Sequence, residues 1–393
     1  MRIGYDGKRA VRNMTGLGNY SRLVIEEMAT KYKSDEFLVY TPSWTRKDSE
    51  NPRLKRINEL PNVEYRYPYG LGPLSQGALW RSFGITRHFQ ADKLDLYHGL
   101  SNELPLNIKE AGVASVVTIH DLIYRRLPYC YPPLDRKIYD YKYKRSARAA
   151  TRVIAISERT KQDLVELHHV DPERIDVIYQ GCDPSFRRAW TEQELLNLRK
   201  RLNLPDRYLL QVGTIERRKN LELSVRALPQ IDKNIKLVAV GRDNLYLPYI
   251  KKLAREIGVE DRIIHLQGLP FADLPGLNQG AEIILYPSRY EGFGIPVLEG
   301  LESRRPVIAA TGSCLEEAGG DAAVYVEPES PRMMAEAINT LLADTAQQQQ
   351  RIARGLEWAR RFNPEDMTSR IMETYQKAIE QYEREKKLKI HRK

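Results

Sequence analysis

The sequence predicts an α/β protein built from two Rossmann-like, doubly wound domains. Three observations carry that expectation. Short apolar runs alternate with longer helical stretches along the whole chain. The runs are apolar on consecutive positions, the pattern of strands covered on both faces of a parallel sheet. There are twelve of them in 393 residues, too many for one ordinary sheet and a length suited to about two domains.

The first six runs are Arg2–Tyr5, Phe37–Tyr40, Leu94–His98, Ser115–Ile119, Arg152–Ile156 and Ile175–Ile178. The second six are Tyr208–Val212, Lys236–Val240, Ile263–Leu266, Ile283–Tyr286, Pro306–Ala309 and Ala323–Val326. Helical stretches lie between many of them, among them Tyr20–Thr30, Glu158–Leu167, Asn220–Leu228 and Pro331–Ala343. The boundary is expected near 181–205. The turn signal Gly181-Cys182-Asp183-Pro184 opens that interval, and a polar helix, Glu192–Leu202, follows before the next strand. Pro364–Lys387 reads as a final helix able to pack on either domain.

Composition narrows the class. Hydrophobic residues make up 42% and charged residues 29%, an ordinary globular balance that excludes extensive disorder. No apolar run approaches the ~20 residues that span a bilayer. The opening MRIGYDGKRA has no apolar signal core and reads as a first buried strand. Cys130, Cys182 and Cys314 are odd in number and far apart, which favours a reducing compartment over a disulfide framework. A cytoplasmic protein is expected. The net charge is +10, of which +8 falls on residues 1–190. The last thirteen residues add six basic and two acidic side chains. Such asymmetry suits a polyanion or an anionic membrane surface, and a solubility bias gives the same numbers.

Five segments can carry chemistry. In Tyr286-Pro-Ser-Arg-Tyr-Glu-Gly-Phe-Gly-Ile-Pro-Val-Leu-Glu-Gly300 a buried strand gives way to a glycine loop and then to a helix whose first turn tolerates Pro296. Free N–H groups and the helix dipole make an anion site there, and glycines let a ligand approach the main chain. Glu291 and Glu299 flank that site; as carboxylates they suit sugar or ribose hydroxyls rather than phosphate. A plain helix start with an incidental surface acid gives the same string. Val212-Gly-Thr-Ile-Glu-Arg-Arg-Lys-Asn-Leu221 places Arg217, Arg218 and Lys219 at the carboxyl end of another strand, where open α/β sheets bind ligands. Clustered cations there suit a pyrophosphate; the alternative is a solvated basic loop.

Thr15-Gly-Leu-Gly-Asn-Tyr20 has G-x-G but Ser21 where a dinucleotide fingerprint needs glycine, and no P-loop occurs. Val117-Thr-Ile-His-Asp-Leu-Ile123 puts His120 and Asp121 at a strand end, where His120 serves either as acid, base or hydroxyl partner or as a satisfied core histidine. His98 has a similar position and a stronger structural reading. The tract Tyr124–Arg152 interleaves six tyrosines with nine basic and two acidic residues. It reads as a helix with a basic face and tyrosines in the core, or as a membrane or nucleic-acid surface. No metal-ligand spacing and no D-x-D occur, so no metal and no cofactor are expected.

Together these motifs resemble the retaining, nucleotide-sugar-dependent glycosyltransferases of the GT-B fold, in the large E-x7-E family, glycosyltransferase family 4. The match rests on Glu291-Gly-Phe-Gly-Ile-Pro-Val-Leu-Glu299, with Gly213-Thr-Ile-Glu-Arg-Arg-Lys-Asn220, Thr118-Ile-His-Asp121, Ser146-Ala-Arg, Ala155-Ile-Ser-Glu158 and Gly16-Leu-Gly18 in order. The bacterial mannosyltransferase-like branch is the most similar in appearance. The resemblance implies two Rossmann-like domains facing a cleft: an acceptor domain over 1–185 and a nucleotide-sugar domain over 186–364. It also implies a helix over 365–387 crossing back, followed by a basic tail over 388–393. It implies that Glu291 and the Gly292–Phe293–Gly294 main chain hold the donor sugar, and Glu299 the ribose. Lys219 with Arg217 or Arg218 would hold the pyrophosphate, Gly16 and Gly18 would let the first loop approach phosphate and acceptor, and His120 would sit beside the transferred sugar. Thr214 stands where many members have arginine.

The reaction so implied moves a hexose, mannose from GDP-mannose, to a lipid-linked or growing saccharide of a cell-surface polysaccharide such as lipopolysaccharide. Cations and helix N-termini would replace a metal ion on the leaving diphosphate. The expected partners are the nucleotide-sugar, the saccharide acceptor and a weakly bound anionic membrane on its inner face, with no nucleic acid. The other readings are an epimerase or hydrolase of the same fold, or a non-catalytic basic binding protein.

Overall fold

The computed structural model describes residues 1–13, 15–43, 45–68 and 77–390. Two all-parallel sheets organise it. The first is built from β1 (Arg2–Asp6), β2 (Glu36–Tyr40), β3 (Val63–Arg66), β4 (Leu96–Gly99), β5 (Ala114–Ile119), β6 (Arg152–Ala155) and β7 (Ile175–Val177). Their order across the sheet is β3-β2-β1-β4-β5-β6-β7. The second contains β8 (Tyr208–Val212), β9 (Lys236–Val240), β10 (Ile263–Leu266), β11 (Ile283–Tyr286), β12 (Val307–Ala310) and β13 (Val324–Val326), in the order β10-β9-β8-β11-β12-β13. Helices cover both faces, so central strands bury every residue, as in β5 and β11. These are the two doubly wound domains expected.

β3 is not among the expected runs. It is an edge strand, paired only to β2, and its exposed Glu64 and half-buried Arg66 break the apolar signal. The expected helix at 220 starts one residue later, at Leu221, because Asn220 takes the left-handed conformation at φ 57°. The expected helix at 20 instead starts at Gly16, so Gly16 and Gly18 lie in its first turn.

The chain forms two compact units. One holds Met1–Gln180 with the C-terminal helix Pro364–Ile390; the other holds Gly181–Asn363. The C-terminal helix packs Met367, Ile371, Tyr375 and Ala378 into the core that Ile3, Tyr5, Val24, Ile25 and Phe37 begin. Of the expected basic tail, residues 391–393 lie outside the described residues.

A buried chain of polar side chains fastens that helix. Tyr20 Oη lies 3.1 Å from Thr118 Oγ1, which lies 2.8 Å from His98 Nε2. His98 Nδ1 lies 2.7 Å from Tyr375 Oη, which donates to Tyr5 Oη at 3.2 Å. One proton order satisfies every link, with His98 carrying its proton on Nδ1. Burial pushes the His98 pKa down to about 3, so the ring is neutral. His98 is therefore a satisfied core histidine. Tyr375→Phe is expected to leave His98 and Tyr5 short of a buried partner and to cost about 1–3 kcal/mol. Urea unfolding, with hydrogen exchange of the C-terminal helix, measures this; a loss within error of zero contradicts it.

Candidate functional site

In the second sheet, β8 and β11 are neighbours, and chain order runs outward from them in both directions. The loops that leave their carboxyl ends part to opposite faces, which opens a crevice between them. The loop after β8 carries Arg217, Arg218 and Lys219; the loop after β11 carries Glu291 and the glycines. Topology therefore joins two segments far apart in sequence.

Local chemistry fixes the cation turn. Arg217–Lys219 form a single 3-10 turn closed by the left-handed Asn220. The Asn220 side chain donates to the Pro287 carbonyl at 3.1 Å and the Pro328 carbonyl at 2.8 Å. Gln211 Nε2 donates to the Lys219 carbonyl at 2.9 Å, and the Arg289 N–H to the Arg218 carbonyl at 2.9 Å. These bonds tie the turn to the strand behind it and the loop across from it.

Lys219 Nζ lies 2.6 Å from Glu291 Oε1 and 2.6 Å from Tyr286 Oη. Arg218 Nη1 lies 2.6 Å from the same Oε1. Ser288 Oγ donates to it at 2.5 Å. All three contacts fall on one carboxylate oxygen. Arg218 also reaches the Tyr290 carbonyl at 2.9 Å and Glu216 at 2.7 Å. Burial alone would raise the Glu291 pKa, but the Arg218 and Lys219 charges outweigh it and hold the carboxyl down at about 2. Burial lowers the Lys219 pKa, with Arg218 adding to it and Glu291 opposing. Arg217, by contrast, is exposed, and its charge is felt at Tyr246.

The glycine loop is packed down firmly. Gly294 has φ +121°, and a Cβ there would stand 2.8 Å from Leu315 Cδ2, so only glycine fits. Phe293 is buried with its ring 5.5 Å from Phe362, so its side chain is a core anchor. Cys314 Sγ lies 3.0 Å from both the Glu291 and Phe293 carbonyls. The helix Ile295–Glu302 follows, with Pro296 in its first turn. That turn has N–H groups with no intrahelical acceptor.

Glu299 differs from its expected carboxylate form. It is buried, and desolvation with the Asp183 charge pushes its pKa up to about 8. At pH 7 it is mainly a neutral acid, able to donate as well as accept.

Gly16, Gly18 and His120 belong to the other unit. A Cβ on Gly18 would stand 1.8 Å from the Asn13 carbonyl, so close backbone packing requires this glycine; around Gly16 there is open space. His120 Nε2 donates to the Leu100 carbonyl at 2.8 Å, and Tyr20 meets the ring edge-on at 4.7 Å. Burial pushes the His120 pKa down to about 4, so it is neutral at pH 7 with the Nδ1 lone pair as acceptor. Tyr286, Ser288, Glu216, Asn220, Gln211 and Cys314 were not singled out from sequence. Only position offered a signal: Tyr286 ends its strand, Ser288, Glu216 and Asn220 sit inside the two motifs, and Gln211 and Cys314 act through bonds that sequence does not display. Among the described residues, no group of three His, Cys, Asp or Glu side chains is placed to hold a metal ion.

Two family models match: "Glycosyltransferase Family 4" over residues 14–186 and "Glycosyl transferases group 1" over residues 195–358. The O-antigen chain mannosyltransferase B of Escherichia coli is 28% identical over 285 residues, which cover 71% of this chain and 74% of the relative. The O-antigen chain mannosyltransferase RfbU of Salmonella typhimurium is 25% identical, over 57% of this chain and 60% of the relative. The crystal structure of Anabaena HepE in complex with UDP and glucose shares the fold, with a TM-score of 0.75, 20% identity and coverage of 96% of this chain and 100% of that one.

The ion cluster has a pH signature. A carboxyl held at about 2 in the folded protein, against an ordinary 4.5, stabilises the fold above pH 4.5, and this is lost as pH falls toward 2. The full effect is roughly 3 kcal/mol. Wild type should therefore exceed Glu291→Gln in stability at pH 6, and the gap should narrow toward pH 2.5. Urea titrations at both pH values measure it; a gap that does not change with pH contradicts the assignment.

Proposed function

Since the chain belongs to the GT-B glycosyltransferases of family 4, we propose that it moves mannose from GDP-mannose to a lipid-linked or growing saccharide of a cell-surface polysaccharide. In this reading the reaction retains the anomeric configuration and needs no metal ion. The reading is supported by the two mannosyltransferase relatives and by the E-x7-E motif. The observation that carries it is the Glu291 carboxylate, paired with two cations from the loop after β8 and followed directly by the glycine loop.

Breaking the anomeric C–O bond places negative charge on the departing diphosphate and positive character on the sugar. Lys219 and Arg218, prepositioned and ionised, meet the first as the bond breaks. Glu291 accepts from hydroxyls of the hexose. Main-chain N–H groups of Gly292–Gly294 approach the donor where no side chain intervenes. Glu299 takes the ribose hydroxyls. With a lipid-linked acceptor, the enzyme works on the inner face of the cell membrane.

A thermal-shift screen of GDP, UDP, ADP and TDP sugars is the first test, because a ligand bound only by the folded state raises Tm. GDP-mannose should give the largest shift, turnover should survive excess EDTA, and the product should be the α-anomer. A larger shift with a UDP sugar overturns the donor assignment. Release of free sugar without an acceptor points to a hydrolase or epimerase instead.

The two glutamates should separate. Glu291→Gln should lower turnover of the sugar donor by more than it changes nucleoside diphosphate binding, which it touches only through Lys219 and Arg218. Glu299→Gln should weaken both by about 1.5–3 kcal/mol. If ribose hydroxyls favour ionised Glu299, its pKa drops from about 8 on binding. Diphosphate binding at pH 7 then releases protons, and affinity rises with pH until about 8. Calorimetry in buffers of different ionisation enthalpy reads that release; equal release by Glu299→Gln contradicts the role.

A further inference from the structure

The strand reversal of the first sheet, between β1 and β4, opens a crevice at its carboxyl edge just as the reversal in the second sheet does. The segment leaving β1 forms one short helix, Lys8–Arg12, which begins two residues past Asp6. The segment leaving β4 is fixed by Asn102, which is left-handed at φ 66° and accepts from the His120 N–H at 2.7 Å. Charge gathers between the two segments. Arg81 pairs with the buried Asp6 at 2.5 Å and with Glu103 at 2.7 Å. Lys142 stands 3.3 Å from the same Glu103 oxygen. Both carboxylates are thereby engaged by cations.

Two further cations there lack a counter-charge. Arg12 and Arg81 each hold a carboxylate, but Lys8 and Arg9 make no ion pair among the described residues. Both are half-buried. Arg9 Nε is enclosed with no hydrogen-bond partner among the described residues, and so is Ser101 Oγ in the segment after β4. Burial pushes the Lys8 pKa down, the Arg81 and Arg9 charges push it further, and Asp6 and Glu103 oppose them. The Arg9 charge is also felt at His120, past the end of β5. Half-buried like charges repel one another and stabilise nothing by themselves. Groups kept at a cost to stability at a strand's carboxyl end are suited to a ligand.

We propose that Lys8 and Arg9 hold an anionic group, a phosphate ester or a carboxylate, carried by the acceptor saccharide. Such a group supplies the counter-charge that the crevice lacks, whereas a neutral sugar leaves the cations uncompensated. Arginine meets either anion as a fork and lysine as a point charge. The donor diphosphate has its own cations, Lys219 and Arg218, in the other unit. The inference rests on reading residues 1–185 as the acceptor domain, and its test uses no donor, so it can fail without touching the donor site.

The test is hydrogen exchange of the full chain with mannose 6-phosphate, glucuronate, neutral methyl α-mannoside or inorganic phosphate at equal concentration. One of the two anionic sugars should slow exchange in residues 7–13 and 100–103 more than the neutral sugar or inorganic phosphate does, and the one that does so names the group. Lys8→Met and Arg9→Met should each weaken that sugar by about 10- to 100-fold, as expected for one charge-assisted bond. Lys8→Met should also unfold at higher urea than wild type, because it relieves repulsion, and should bind nucleoside diphosphate as wild type does. Absence of protection by both anionic sugars overturns the proposal, as do variants that bind like wild type or a Lys8→Met that is less stable. Equal protection by methyl α-mannoside overturns the anionic group while leaving an acceptor domain. Equal protection by inorganic phosphate reduces the site to an adventitious ion only. Protection confined to residues 213–220 and 286–294 moves the anion to the donor site and overturns the proposal too. Protection by an anionic sugar in a chain that turns over no sugar donor upholds the anion site and sinks the transferase reading.

Discussion

The reversal of strand order at β8 and β11 is the constraint on which the candidate site depends. Neighbouring parallel strands whose chains wind away in opposite directions must open a gap between their exit loops. Both loops here bring charge into that gap, of opposite sign and largely out of water. A buried cation or carboxylate is costly alone, so Lys219, Arg218 and Glu291 can remain ionised only together. Tyr286, Ser288 and Glu216 complete their hydrogen bonding. Removal of any one member leaves the others with an unmet charge, which makes the cluster a single unit rather than three independent contacts.

The same features explain what was legible in the sequence. Parallel strands buried on both faces show as unbroken apolar runs, and Gly and Pro mark the loop-to-helix step at Gly294–Pro296. Lys219 and Glu291 were readable because each follows such a strand. That they touch was not, since the pairing depends on sheet order across many intervening residues. β3 escaped because an edge strand carries charge, and Phe293 because a loop phenylalanine gives no sign of which side it packs on. Asn220 looked like the start of a helix; its left-handed turn, set by bonds to Pro287 and Pro328, became visible only in three dimensions.

The first sheet repeats the strand reversal, between β1 and β4, and there an ion cluster stands beside a neutral network. At the end of β1 the buried Asp6 pairs with Arg81, which also reaches Glu103, while Tyr20, Thr118, His98, Tyr375 and Tyr5 form one neutral hydrogen-bonded chain, with His120 beside Tyr20. Burial deprotonates both histidines, and a neutral network needs no counter-charge to persist in the core. The C-terminal helix supplies Tyr375 to that chain, so the last element of the sequence completes the polar wiring of the first sheet.

Glu291 and Glu299 show how one short segment makes two different acids. They lie eight residues apart, and both are buried. Desolvation acts upward on each; only Glu291 has Arg218 and Lys219 to oppose it, while Glu299 has Asp183 adding to the rise. Their pKa values separate to about 2 and about 8. Environments that drive two like groups apart in this way assign them different work. A permanent carboxylate accepts hydrogen bonds only, and its charge balances the neighbouring cations. A carboxyl with a pKa of about 8 can switch between donor-acceptor and pure acceptor as a ligand arrives, at a cost of about 1.4 kcal/mol at pH 7. The motif's two glutamates are thus chemically distinct before any ligand binds, and the distinction comes from the cations of a second loop that the motif itself does not contain.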